Sequence, residues 1–430
     1  MGRAIGRGAA GTLSLGLVLA AVGWAAPVVA DSGQCTASTR ITQPPTALTE
    51  LQSDLAWSVT RGAGVTVAVV DSGVDAANPH LTGAMAASVD LVPGGGPADA
   101  DGHGTAVAGI IAARRIPGSA VAGLAPGARI LSVRVFAGTS DEQVKGGTGP
   151  SVDRLAAGIR TAADRHAQII NVSLSTAVHE PALDAAVNYA TSRGSLVVAS
   201  AGNRDASLAV DTTVRNGARY PAGSAGAVGV AATDAVGVVT DATIHGPHVA
   251  LSAPGQNVAT TSSAGGDCVY ATDHPAASFA TAYVSAAAAL VASAHPDETP
   301  AQWAYRLEAT AVRADPDQRD DVSGWGSVQP YEAIALVPGP SVRGPVSPFD
   351  ANAAAPLPPA GQPTVTVAHE PRMDAAAIQG LVVAGTVAAV LLVVIGTLGV
   401  LRRRRGAADP APAGKGLYGR PGDEQEEHRG

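Results

Sequence analysis

Three residues of this 430-residue chain stand where an acid, an imidazole and a hydroxyl could act together. Asp71 closes the apolar run Val65 to Val70, His103 lies between two glycines in Asp101-Gly-His103-Gly-Thr, and Ser278 heads an alanine-rich run to Ala294. In such a set the carboxylate fixes the imidazole tautomer, the imidazole takes the hydroxyl proton, and the freed oxygen attacks an acyl carbon. Each residue also has a plain alternative. Asp71-Ser-Gly reads as a turn bonding its own backbone, His103 as a glycine-loop residue, and Ser278 as a helix N-cap accepting a backbone N–H.

A nucleophile at a helix start gains a backbone N–H and the positive end of the helix dipole, both suited to the oxyanion formed on attack. Asn203, after Val-Val-Ala-Ser-Ala-Gly, offers a second donor; its alternative is a turn residue tolerating a left-handed backbone.

The elements that must position these groups are legible as period and composition. Val65 to Val70, Ile130 to Val135, Ile169 to Leu174, Leu196 to Ala199 and Val228 to Ala231 read as strands buried on both faces. Gly104 to Ala113, Ser151 to Arg165, Pro181 to Ser192 and Ser278 to Ala294 read as helices. This alternation predicts an α/β fold with a mostly parallel sheet flanked by helices. Such sheets bind ligands beyond the carboxyl ends of their strands, and Asp71, Ser173 and Asn203 all fall at strand ends. His80, His245, His248 and His274 read as surface or loop positions.

Four segments together carry a family likeness: Val-Ala-Val-Val-Asp71-Ser-Gly, Asp101-Gly-His103-Gly-Thr-Ala-Val-Ala-Gly, Ala-Ser-Ala-Gly-Asn203 and Ser278-Phe-Ala. From about Ala63 to Ile334 the chain resembles the subtilisin-like serine peptidases. The resemblance implies a subtilase fold in which Asp71 orients His103, His103 takes the proton of Ser278, and Ser278 attacks a peptide carbonyl. It further implies that Asn203 holds the oxyanion and that Ser173-Leu174-Ser175 pairs with the substrate backbone as an added strand. With Ala201 and Gly202, that segment would bound the pocket for the side chain before the scissile bond. Two positions depart from the family pattern: Ser175 stands where Gly is common, and Ala276-Ala277 where Gly-Thr usually precedes the nucleophile. A lipase or esterase fits less well, because no Gly-x-Ser-x-Gly elbow occurs and the order is Asp, His, Ser. No cofactor and no metal are assigned.

The rest of the chain bears on location and partners. A net charge of −8 with 15% charged residues argues against nucleic acid as a partner. Residues 1–30 read as a signal peptide, with Arg3 and Arg7, an apolar stretch and a small-residue end at Ala30. In an exported chain Cys35 and Cys268 read as one disulfide, the alternative being two unpaired, partly buried thiols. Residues 31–62 form an N-terminal extension, 63–336 the peptidase domain and 337–374 a Pro/Ala-rich linker. Residues 375–401, apolar from Ile378 to Leu401 apart from Gln379, read as a C-terminal transmembrane helix. Arg402 to Arg405 then mark the cytoplasmic side, leaving 402–430 as a cytoplasmic tail and the bulk extracytoplasmic. The alternative for that span is a buried core helix.

This organisation, with Leu51-Gln-Ser-Asp-Leu-Ala-Trp57, resembles a narrower group, the mycosins, membrane-anchored subtilases associated with type VII secretion systems. The resemblance implies that residues 31–60 wrap the domain instead of forming a cleaved inhibitory segment. Its implied partners are a protein or peptide substrate, the membrane through the C-terminal helix, and a type VII secretion membrane complex. The competing reading is a structural subunit of that complex whose protease is weak or idle.

Overall fold

The computed structural model describes residues 35–350, except 97 and 205–215, together with a few helical positions between 389 and 399. The chain falls into two units, residues 1–360 and 361–430, and the fold below belongs to the first.

Seven parallel strands form one sheet in the order β2-β3-β1-β4-β5-β6-β7. They are β1 (Thr66–Asp71), β2 (Met85–Asp90), β3 (Arg129–Arg134), β4 (Ile169–Val172), β5 (Leu196–Ser200), β6 (Ala227–Thr233) and β7 (Leu251–Pro254). The central strands are wholly buried because both faces are covered. On β1, Val67 and Val69 enter one core while Ala68 and Val70 enter the other. With α1 (Thr46–Glu50), α2 (Ser53–Val59) and α4 (Asp141–Lys145) counted in chain order, the first core packs helices α3 (His103–Ala112) and α7 (Ala277–Ala294), and the second packs α5 (Val152–Asp164) and α6 (Pro181–Ser192).

All five expected strands and all four expected helices are present within a few residues. Strands β2 and β7 and the antiparallel hairpin β8 (Val258–Thr261) and β9 (Asp267–Tyr270) were not expected. β2 is an edge strand whose small residues alternate between half-buried and exposed, and β7 is four residues ending in Pro254. Neither supplies a β-branched run.

Two histidine readings are corrected. His80 is fully buried, its ring 2.6 Å from the Arg114 carbonyl and 2.9 Å from Asp267 Oδ1. His248 is also buried, its Nε2 3.0 Å from the Ala201 carbonyl.

Residues 35–60 lie on the domain. The Cys35–Cys268 disulfide ties them to β9, and Ile41 N–H donates to Asp267 Oδ2 at 2.8 Å. Among the described residues α7 is the helix long and apolar enough to span a bilayer, and it is the buried core helix of the domain. The expected signal peptide, most of the linker and the tail lie outside the described residues. So does most of the apolar segment from Ile378 to Leu401; Ala389, Leu391, Leu392 and Ile395 to Gly399 are described as helical and exposed.

Candidate active site

Strands β1, β4 and β5 are neighbours in the sheet, so their carboxyl ends bring Asp71, Ser173 and Asn203 to one crevice. Asp71 is fully buried at the end of β1. Its Oδ1 accepts from His103 Nδ1 at 2.8 Å and from Ser72 N–H at 2.8 Å, while its Oδ2 has no hydrogen-bond partner. The imidazole is therefore the principal counterpart of a desolvated carboxylate, which fixes Nδ1 as the protonated nitrogen and turns Nε2 outward. Burial itself disfavours a charge on the ring. The Asp71 carboxylate and its hydrogen bond, followed by Asp101 and Asp99, outweigh burial and hold His103 up to about 9.

The turn that presents His103 is built for close passage. Gly102 caps α3 with φ +89°, and a Cβ on Gly104 would lie 2.0 Å from the Gly73 carbonyl oxygen. Only glycine fits at position 104. Asp99, missed from sequence, clamps this turn to β1: it accepts from Ser72 Oγ, Gly102 N–H and Thr105 N–H, each at 2.8 Å, and from Thr105 Oγ1 at 2.5 Å. Ser72 Oγ in turn accepts from Gly104 N–H at 2.9 Å. A carboxylate four residues before the histidine, at a helix start, was the available signal. Buried Arg134 was also missed; it donates to the Ser72 carbonyl at 3.2 Å and pairs with Asp90 at 2.9 Å.

Ser278 is the second residue of α7, not its N-cap, which is Ala276. The capping group comes from another element: Asn203 Oδ1 accepts from Ala277 N–H at 2.7 Å. Phe279 and Ala280 N–H both turn to the Ala276 carbonyl, whereas the Ser278 N–H has no acceptor among the described residues. Because its carbonyl end is engaged at the same helix terminus, the Asn203 amide keeps its Nδ2 donors for another acceptor. Phe279, next to Ser278, stacks on the His103 ring with centroids 5.4 Å apart, which brings the serine's turn to the imidazole. Ser278 Oγ makes no hydrogen bond to the described residues; nucleophile and base are often loosely paired before substrate binds.

A buried relay holds this turn from the sheet side. Ser285 Oγ donates to Asn171 Oδ1 at 2.9 Å, Asn171 Nδ2 to Ser173 Oγ at 3.0 Å, and Ser173 Oγ to the Ser278 carbonyl at 3.1 Å. Leu174 is half-buried and Ser175 exposed at the crevice, opposite buried Ala201 and Gly202. Among the described residues no cluster of three or more His, Cys, Asp or Glu side chains has the arrangement to hold a metal.

An acid–imidazole pair, a serine in the turn stacked against that imidazole, and an asparagine amide bonded at the same helix start are the parts that acyl transfer uses. The chain belongs to the Subtilase family, peptidase S8, whose pattern it matches over residues 62–326. It is a serine protease related to the mycosins: Mycosin-3 of Mycobacterium tuberculosis (strain ATCC 25618 / H37Rv) is 32% identical over 410 residues, 84% of this chain and 85% of that protein. The thermophilic serine proteinase of Bacillus sp. (strain AK1) is 34% identical over 284 residues. That match covers 66% of this chain and 63% of the Bacillus protein, so the chain spans less than two thirds of that relative. The crystal structure of MycP1 from the ESX-1 type VII secretion system is similar with a TM-score of 0.60 at 30% identity, covering 70% of this chain and 89% of that one.

Proposed function

We propose that this protein is a membrane-anchored, extracytoplasmic serine endopeptidase working through Asp71, His103 and Ser278. The observation that carries the reading is the 2.8 Å bond from His103 Nδ1 to a fully buried Asp71, set beside a helix start whose Ser278 N–H is uncommitted. In the reaction Ser278 Oγ attacks the peptide carbonyl as its proton passes to neutral His103 Nε2, and Asp71 stabilises the imidazolium that forms. The Ser278 N–H and Asn203 Nδ2 hold the tetrahedral oxyanion. His103 then protonates the departing amine, and a water molecule, deprotonated by the same ring, releases the acyl group from Ser278. The substrate backbone lies along Ser173, Leu174 and Ser175, with Ala201 and Gly202 across from them.

The anchoring and orientation rest on the apolar segment Ile378 to Leu401 followed by Arg402 to Arg405, with a leader-like segment at residues 1–30. An association with a type VII secretion complex is proposed because MycP1, a structural neighbour, is described as an essential component of the ESX-1 system. The enzymatic reading is tested by Ser278→Ala in the full chain: peptide hydrolysis should vanish while the thermal midpoint stays put. Undiminished hydrolysis by the variant would overturn it.

A further inference from the structure

The slot between Ser175 and Gly202 is nearly shut. A Cβ placed on Gly202 would meet Ser175 Oγ at 2.9 Å, Ile244 Cδ1 at 3.2 Å and Arg219 Cγ at 3.5 Å. Adding one carbon–carbon bond of about 1.5 Å puts the Ser175 hydroxyl within roughly 4.5 Å of Gly202 Cα. A side chain gripped between two walls at ordinary contact distances of about 3.5–4.0 Å needs those walls roughly 7–8 Å apart. No methylene passes between the walls as they stand.

The walls are also tied in place. Thr176 and Tyr220 exchange two backbone hydrogen bonds of 2.9 Å, fixing the segment that carries Ser175 beside the one that carries Arg219. Ser173 Oγ is bonded to the Ser278 carbonyl at 3.1 Å. On the opposite wall the Gly202 carbonyl accepts from Ile244 N–H at 2.9 Å, and the Ala201 carbonyl sits 3.0 Å from His248 Nε2. Gly202 itself has φ +92°, a conformation that resists substitution but leaves the slot's width to Ser175. Rotating Ser175 about χ1 moves its Oγ and leaves its Cβ in the slot.

From this we infer that Ser175 is a specificity-determining residue that restricts the enzyme to peptide bonds following Gly or Ala, whose side chains carry no methylene. The inference rests on the peptidase reading above and names its substrate class. Larger side chains at that substrate position are refused by the wall that Ser175 completes, not by lost attraction.

The test uses the full chain in detergent with succinyl-Ala-Ala-Pro-X-p-nitroanilides in which X is Ala, Leu or Phe. Since a single methylene in a tight pocket shifts kcat/KM by ~10–200-fold, Ala should exceed Phe and Leu by at least ~30-fold. Ser175→Gly should raise the Phe-to-Ala ratio of kcat/KM at least ~10-fold, with Ser175→Ala in between. Wild-type hydrolysis of Phe or Leu at the Ala rate, or an unchanged ratio in Ser175→Gly, overturns the inference. A fluorophosphonate that still labels Ser278 in those cases leaves the peptidase reading standing. Absence of both labelling and hydrolysis overturns that reading and the inference with it.

Discussion

At the scale of single residues, His103 sets the pH at which the site works. Burial opposes its protonation, but the carboxylates of Asp71, Asp101 and Asp99 carry the ring up to about 9. A general base must be neutral to accept a proton, so the raised value means that little of the enzyme is competent near neutrality. The kcat/KM profile should climb on the alkaline side and level off once pH passes the value of the ring. Asp101→Asn removes one of the negative charges that favour the imidazolium, so the ring titrates lower and the rising limb moves to lower pH. Paired pH–rate profiles check this, and an unmoved limb would contradict it. Asp71, His103, Ser278 and Asn203 were legible as candidates: Asp71 ends an apolar run, His103 and Asn203 stand next to glycine, and Ser278 heads an alanine-rich run. Arg134 was not legible, because its partners Ser72 and Asp90 lie 62 and 44 residues away; Asp99 was overlooked although Gly102 and Thr105, which it binds, are close in sequence.

At the scale of elements, the first turn of α7, with Ala276-Ala277 before Ser278, is held by hydrogen bonds to other elements and within the helix. Ala276 N–H donates to the Gly255 carbonyl at 2.9 Å, Ala277 N–H to Asn203 at 2.7 Å, and Thr281 Oγ1 to the Ala277 carbonyl at 2.6 Å. The Ser285–Asn171–Ser173 relay adds a hold on the Ser278 carbonyl. Asn171→Ala should lower kcat by ~10–100-fold with KM little changed, because a misplacement of about 1 Å at the nucleophile costs on that order. It should also destabilise the domain by about 1–3 kcal/mol, since the Ser285 hydroxyl loses its buried acceptor. Steady-state kinetics beside denaturant unfolding separate the two effects; lost stability with an unchanged kcat would reduce Asn171 to a packing role. An asparagine inside Ile169-Ile-Asn-Val signalled a buried polar partner, but no sequence pattern says that the partner is Ser285. The hairpin β8–β9 was equally illegible, because Val258 to Thr261 and Asp267 to Tyr270 are short and pair only with each other.

Across the whole molecule, the N-terminal extension is coupled to the crevice through that hairpin. The disulfide closes a separation of 233 residues onto β9, whose Tyr270 ring lies 5.6 Å from Phe279, which stacks on His103. Loops of this length lose much entropy when cross-linked, so Cys35→Ser/Cys268→Ser should lower unfolding free energy by about 2–5 kcal/mol. Denaturant midpoints of the full chain with and without the bridge measure it, and equal midpoints would show that noncovalent contacts alone hold the extension.

The proposed reaction turns on Ser278 as a nucleophile activated by His103. An active-site fluorophosphonate reacted with the folded full chain, followed by peptide mapping, tests it most directly. A single phosphonylated residue, Ser278, is expected, with labelling lost in His103→Ala. Labelling at another serine, or none in folded protein, would contradict it.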